Sequence, residues 1–504
     1  YGDHRDLHLS IRRQRQMCIR DRYRASIMDR NGNIIAKTVR VTNLGINPNQ
    51  LINKEKLLIS LKLIFPDKNF EKEINGKKFF YVKKKISPAK LEKIKLLGEK
   101  SFKEEENIAR VYPNGNLFSH ILGQIDTDNN GVSGIEKSFD YELTTSNKPL
   151  KLSLDTEIQY LIREELLKFQ EIFNSYGSTA ILMNVNSGEI LSMVSLPDFD
   201  LNKREDISDK KFINRSTKGV YELGSVFKTF TLAAGLQQNV IQEDTLFKNL
   251  PKKIKCAGRS ISEYDMDIPS SLTAEEILIR SGNIGSIKIA QKVGLENFKD
   301  FLENLDLLNK IQFDIEEVGN PIPFKWGKCK LATSAYGHGI TTTPLQLAKA
   351  YAIIANGGYK IKPTLIKKEK NLKRGEQIIT QENSNKINEI LRKIVTSEQG
   401  TANLANIAGY EIAGKTGTAQ KSIKGKYSKK KINTFASIFP ISSPKYVLIV
   451  LLDEPKLSET YIYEYNDGKK RKIIGTPFNT AGWTSVEVTK NIIEKIGPIL
   501  AIKY

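Results

Sequence analysis

"YELGSVFKTF" (221–230) decides how the rest of the chain is read. A glycine precedes Ser225, a lysine follows three residues later, and the apolar segment "VFKTFTLAAGL" (226–236) starts at the same point. Gly224 permits a tight turn and close backbone approach. The apolar segment predicts a buried helix with Ser225 in its first turn. Free backbone N–H groups and the positive end of the helix dipole favour developing negative charge there. Lys228 falls one turn on, on the same face, within reach of the serine oxygen. Serine is a weak nucleophile without a base. Lysine serves as that base only if burial or nearby cations bring its pKa down from about 10.4 toward neutrality. Val226, Phe227, Thr229 and Phe230 supply the burial. The pattern alone carries little weight, because S-x-x-K also starts at Ser87, Ser208, Ser428 and Ser442, where a surface pair or turn explains it. Only Ser225 opens an apolar helix after a glycine.

Two other short patterns each occur once. Ser281-Gly282-Asn283 follows the helical-looking "TAEEILIR" (273–280), and by itself reads equally as a helix-capping turn. Lys415-Thr416-Gly417 opens "KTGTAQ" (415–420) and by itself reads equally as a glycine bulge in an edge strand. Read instead as part of a substrate site, Lys415 offers a cation, Thr416 and Thr418 offer hydroxyls, and Gly417 leaves room for a substrate backbone.

Around these motifs the chain is well punctuated. "ASIMDRNGNIIAKT" (25–38) predicts a hairpin turning at Asn31-Gly32. "SPAKLEKIKLLGEK" (87–100) and "TEIQYLIREELLKFQEIF" (156–173) predict helices. "STAILMNVNSGEILSMVSLP" (178–197) and "TFASIFPISSPKYVLIVLLDEP" (434–455) predict strand–turn–strand units, and "TSVEVTKNIIEKIGPIL" (484–500) a final helix. Hairpins on both sides of a helical middle imply an antiparallel sheet with helices inserted between its strands. "TTSNKP" (144–149) marks a break, giving a first domain at 23–148 and a second at 149–504. Residues 1–22, Arg-rich and aperiodic, read as a foreign segment; a native N-terminus with a membrane anchor is expected to lie outside this sequence.

Composition bounds the function. The 504 residues suffice for two or three domains, and 39% hydrophobic content supports packed cores. Lys and Arg number 78 against 57 acidic residues, a formal charge of +21. That excess fits an anionic wall or membrane surface, or nucleic acid. The basic residues do not gather in one tract beyond the short run Lys429–Lys431, and no nucleic-acid motif accompanies them. Cys18, Cys256 and Cys329 exclude a disulfide scaffold; a Cys256–Cys329 bridge is one option, and free buried thiols are the reading adopted. The four histidines have no metal-ligand spacing, and no apolar run approaches the ~18–20 residues of a membrane span. No metal and no cofactor are expected.

The order S-x-x-K, S-x-N, K-T-G, with 53 residues from Lys228 to Ser281 and 132 from Asn283 to Lys415, resembles that of penicillin-binding proteins and serine β-lactamases. The likeness spans nearly the whole chain after residue 22. "RASIMDRNGNIIA" (24–36), "RVYPNGNLFSHILGQID" (110–126), "GVSGIEKSFDYEL" (131–143), "LSLDTEIQ" (152–159) and "ATSAYGHGITTTPLQLAKAYAIIANGG" (332–358) resemble blocks of the class B penicillin-binding proteins, and within them the division-specific type. Leu223 and Gly282 depart mildly from the family pattern, where proline and serine are usual; neither is a reacting group.

The resemblance implies an α+β fold: a transpeptidase domain with an antiparallel sheet and an inserted helical subdomain, preceded by an elongated α/β pedestal. It implies a D,D-transpeptidase in which Ser225 is acylated by a stem pentapeptide and Lys228 takes the serine proton. Backbone N–H groups of Ser225 and Thr418 hold the oxyanion. Ser281 passes the proton to the departing D-alanine, and Asn283 binds the substrate amide and holds Lys228. Lys415, Thr416 and Thr418 receive the terminal carboxylate beside Gly417. Implied partners are peptidoglycan stem peptides, lipid-linked or on nascent glycan, β-lactams as covalent inhibitors, a septal glycosyltransferase and membrane proteins of the division complex, with no nucleic acid. The implied place is the periplasmic face of the inner membrane. An elongation-type transpeptidase, a D,D-carboxypeptidase or β-lactamase, a non-catalytic sensor and a basic nucleic-acid binder stand as alternatives.

Overall fold

The structure, a computed structural model, describes residues 23–203, 208–209, 212–368, 374–423, 426–466 and 470–504. The foreign-looking segment 1–22 and the lysine of the Ser208 pattern lie outside the described residues.

The first part is built on a long, bent strand. β1 (Ile27–Met28) turns through Asn31-Gly32 into β2 (Ile34–Ile46), as the hairpin signal predicts. Asp29 fixes the turn by accepting the backbone N–H groups of Asn31 and Asn33. α1 (Lys54–Ile64), β3 (Phe80–Ile86), α2 (Pro88–Lys95) and β4 (Phe102–Val111) follow, with β3 and β4 both antiparallel to β2. Leu44, Leu57, Leu61, Phe65, Val82 and Ile94 form a small core of their own. The flanking segments do not belong to it: Ile27, Ile35, Phe118, Ile121 and Ile135 pack into the larger core of the second part. β5 (Leu150–Lys151) pairs in parallel with β1 and carries the chain across.

Those flanking segments meet at one buried carboxylate. Glu136 is fully buried and accepts Arg24 Nε at 2.9 Å, Arg110 Nε at 2.8 Å and the Tyr112 hydroxyl at 3.2 Å. A charge taken out of water needs such partners. Three blocks far apart in the chain are thereby tied where the pedestal meets the second part.

The second part starts with α3 (Thr156–Ile172), capped by Asp155, and the hairpin β6 (Gly177–Asn184) and β7 (Ile190–Leu196). A helical middle follows: α4 (Lys228–Gln237), the small hairpin β8 (Lys253–Cys256) and β9 (Arg259–Ser262), α5 (Ala274–Ile279), α6 (Asn283–Val293), α7 (Lys330–Ser334) and α8 (Pro344–Ala355). The sheet resumes with β10 (Ala413–Ile423), β11 (Lys426–Phe439) and β12 (Tyr446–Asp453), and α9 (Ser485–Lys503) closes the chain. Its order is β10-β11-β12-β6-β7, every pairing antiparallel, with β10 on an open edge. Successive strand residues face opposite sides, so the complete burial of β12 shows that both faces are covered; α8 and α9 both pack against it.

Cys256 and Cys329 are disulfide-bonded and half-buried, not the free buried thiols expected from sequence. Ala257 and Gly258, both at positive φ, turn the β8–β9 hairpin back on itself and set Cys256 at its tip. The bond runs from there to the residue just before α7, 73 positions away.

Candidate active site

Gly224 takes φ +62° and opens a 3₁₀ turn, Gly224–Phe227, that runs straight into α4. Ser225 sits in that turn, half-buried, and Lys228 begins the helix, buried. The turn lies directly on the edge strand. A Cβ at Gly417 would stand 2.2 Å from the Leu223 carbonyl oxygen, and one at Gly224 would stand 2.9 Å from the Thr418 carbonyl oxygen. The space beside Gly417 is therefore filled by the nucleophile turn, which corrects the expectation that a substrate backbone lies there. Gly417 is also in regular register opposite Thr434, so no bulge explains it. Behind the turn, the buried Tyr351 hydroxyl of α8 donates to the Val226 carbonyl at 2.9 Å and lies 2.9 Å from Thr229 Oγ1.

Ser281 falls between α5 and α6 with φ +58°, a left-handed conformation unusual for a residue with a side chain. It is the meeting point of both lysines. Lys228 Nζ donates to the Ser281 carbonyl and, at 3.1 Å, to Ser281 Oγ. Lys415 Nζ donates to the same Oγ at 2.9 Å and to the Thr416 carbonyl at 3.2 Å. A hydroxyl has two acceptor positions and one proton. Ser281 itself lines the cleft, so this hydroxyl stands between the two amines and the space open to a substrate.

Burial pushes the Lys228 amine down to about 7, against the opposing pull of the Glu263 carboxylate. Lys415 is held well below the ordinary lysine value, first by burial and then by the charge of Lys228. The amine at Lys228 is thus available as a base near neutral pH.

The motifs line one cleft of ≈ 890 Å³. Ser225, Lys228, Ser281, Asn283, Thr416 and Thr418 all contribute to its wall. Lys415 does not: it is fully buried and reaches the cleft only through Ser281. Asn283 donates its amide to the Ser262 carbonyl at 2.9 Å, while the hydrogen bonds of Lys228 run to Ser281 and not, as expected, to Asn283. Among the remaining S-x-x-K serines, Ser87 starts α2 and Ser428 Oγ donates to the Lys421 carbonyl, both as ordinary structure.

Two site residues escape the motif reading. Thr401 Oγ1 lies 2.7 Å from Thr416 Oγ1, and both line the cleft. Glu263 is buried, lines the cleft and accepts the backbone N–H groups of Asn283 at 2.6 Å and Ile284 at 2.8 Å. Neither belongs to a short pattern; "SISE" (260–263) ends an unremarkable hairpin.

Residues 178–479 match the penicillin-binding protein transpeptidase domain, and residues 21–160 the penicillin-binding protein dimerisation domain. The chain belongs to the penicillin-binding protein transpeptidase family. It is a class B, penicillin-binding-protein-3-type enzyme that works through an acyl-serine. A probable peptidoglycan D,D-transpeptidase FtsI of Caulobacter vibrioides is 30% identical over 95% of this chain and 82% of its own length. The peptidoglycan D,D-transpeptidase FtsI of Escherichia coli is 28% identical over 87% of this chain and 80% of its own. The fold matches that of penicillin-binding protein 3 from Mycobacterium tuberculosis, crystallised with aztreonam, at TM-score 0.71 and 21% identity, over 95% of this chain and 96% of that one. Among the described residues of this transpeptidase, no helix is long and apolar enough to cross a membrane.

Proposed function

We propose that this transpeptidase cross-links peptidoglycan stem peptides in the division septum, with Ser225 as the acyl carrier. The observation that carries the reading is the convergence of two buried amines, Lys228 and Lys415, on one serine hydroxyl that lines the same cleft as Ser225. Lys228 takes the Ser225 proton as the oxygen attacks the carbonyl of the penultimate D-alanine. The backbone N–H groups of Ser225 and Thr418 hold the oxyanion. Ser281 relays the proton to the departing D-alanine. Thr416 and Thr418 receive the terminal carboxylate, with Lys415 acting on it through Ser281, and Asn283 binds the substrate amide. An amine from a neighbouring stem peptide then attacks the acyl-serine, frees Ser225 and forms the cross-link. β-Lactams acylate the same oxygen and leave slowly.

Residues 23–148 serve as the pedestal and 149–504 as the catalytic domain, the pedestal offering the surface for a septal glycosyltransferase and other division proteins. The septal role is supported by Asn283 in the second motif and by the FtsI relatives. The periplasmic face of the inner membrane is supported by the Cys256–Cys329 bond, since disulfides persist in oxidising compartments.

The direct test is acylation by a fluorescent penicillin, with mass spectrometry of the labelled peptide, on the wild type and on Ser225→Ala. A stable adduct on Ser225, absent from the variant, is expected; rapid release of hydrolysed drug indicates a β-lactamase instead. Depletion from cells separates the roles: filaments support septal work, rounded cells elongation.

A further inference from the structure

The three motifs do not account for the geometry of Ser281. Its backbone sits in the left-handed region, where a side chain is strained. Such a conformation persists only where the surroundings over-determine it. Lys228 and Lys415 hold it from one side, through the carbonyl and Oγ. On the other side the chain enters α6 at Gly282, which supplies no side-chain cap. The free N–H groups at the start of α6 are met instead by Glu263, each carboxylate oxygen taking one of them. This is a charge-assisted cap at the positive end of the helix, supplied from a distant segment.

The segment that carries Glu263 is itself anchored. The Glu263 N–H donates to the Lys252 carbonyl at 3.0 Å, closing the base of the β8–β9 hairpin. The preceding residue, Ser262, accepts the Asn283 side-chain amide. The far end of the hairpin is bonded through Cys256 to Cys329. From Cys329 the chain runs through α7 to Gly337, where a Cβ would stand 2.0 Å from the Gly224 carbonyl oxygen. The hairpin is thus fixed to the wall that packs on the nucleophile turn.

We propose that Glu263 is a positioning residue for the acyl-transfer reaction: from outside the three motifs it fixes Ser281 and Asn283 in register with Lys228 and Ser225. This deepens the proposed function and rests on it. A cap that served folding alone would sit equally well away from the site. Glu263 instead lines the cleft and acts on the charge of Lys228. The other charged group acting within this cluster is Lys415 from β10, and Arg280 and Asp265 share the cleft wall.

The test uses the full chain with Glu263→Gln and Glu263→Asp, and Ser225→Ala as the control for labelling. The second-order rate of acylation by a fluorescent penicillin is measured across pH 5.5–9, alongside thermal unfolding. Glu263→Gln is expected to react about 10- to 100-fold more slowly, the scale of an ångström-sized misplacement. Its pH midpoint is expected to move lower, because the carboxylate no longer favours the Lys228 ammonium. Glu263→Asp keeps the charge, so the midpoint returns toward wild type while the shorter arm leaves part of the rate loss. Wild-type rate and midpoint in Glu263→Gln overturn the proposal, as does a lower melting temperature with the folded fraction reacting like wild type. Should Glu263→Gln fail to fold, Glu263→Asp decides: a slowed rate at an unmoved midpoint supports it, and a wild-type rate overturns it. Absence of any adduct on Ser225 in the wild type is a different failure, that of the acyl-serine reading itself.

Discussion

Acylation of Ser225 should follow the titration of one buried amine. Burial pushes Lys228 down to about 7. If Lys228 takes the Ser225 proton, the rate tracks the fraction of Lys228 that is neutral. A lysine at its ordinary value of about 10.4 is neutral in roughly one molecule in 2,500 at pH 7. At about 7 the neutral fraction is half, so burial gains about a thousandfold in available base. The sign follows directly: the working form is present above the folded-state value and lost as pH falls through it. The second-order rate with a fluorescent penicillin should be level above about pH 8 and fall about tenfold per unit below about 7, reaching about one hundredth of the plateau at pH 5. Stopped-flow or quenched gel labelling resolves this, with circular dichroism confirming the fold at each pH. A rate that stays flat from pH 5 to 9, or keeps climbing to pH 10, would refute Lys228 as the base.

Gly417→Ala places a methyl 2.2 Å from the Leu223 carbonyl; the nucleophile turn must shift by about 1 Å, and acylation should fall about 100-fold with the sheet intact, a wild-type rate counting against the packing argument. Paired replacement of Cys256 and Cys329 by serine opens a loop spanning 73 positions, and the chain-entropy treatment puts the loss near 4 kcal/mol, to be read as a lower urea midpoint. Glu136→Gln leaves Arg24 and Arg110 buried without their shared counter-charge, and unfolding free energy should drop by about 3–5 kcal/mol. A drop under about 1 kcal/mol would mean that water or Asp140 already compensates.

Much of the site was legible because its parts are local. The glycine, serine and lysine of 224–228 specify a turn, a nucleophile and a buried base within five positions, and the turn and buried amine are found as read. The hairpins at 25–38, 178–197 and 434–455 follow from turn chemistry and apolar alternation, and each is present. What escaped depends on contacts between distant segments. Nothing near Glu263 says that its carboxylate will meet α6 some 20 residues later. Cys256 and Cys329 were read as free because their approach is made by a hairpin tip and a loop that share no local pattern. Lys415 was expected to receive a substrate carboxylate; only the fold shows that it is fully buried and hydrogen-bonded to Ser281 Oγ. Gly417 was assigned room for substrate because a sequence shows a missing side chain but not what fills the gap.

The open edge of β10 has a consequence for the molecule as a solute. An edge strand offers its unpaired backbone to any other strand, including that of a second copy. Most sheets hide such an edge under a helix or block it with proline. Here Thr416, Thr418, Ala419 and Gln420 of the edge strand line the cleft. The hairpin formed with β11 is rich in lysine at its outer end, with Lys426, Lys429 and Lys430 exposed. Lys430 is paired with Glu454, so Lys426 and Lys429 are the charges that two copies brought edge to edge would set against each other. Lysines that are unremarkable in a chain of net charge +21 thus make this end of the sheet unattractive to its own kind, while the strand still borders the cleft.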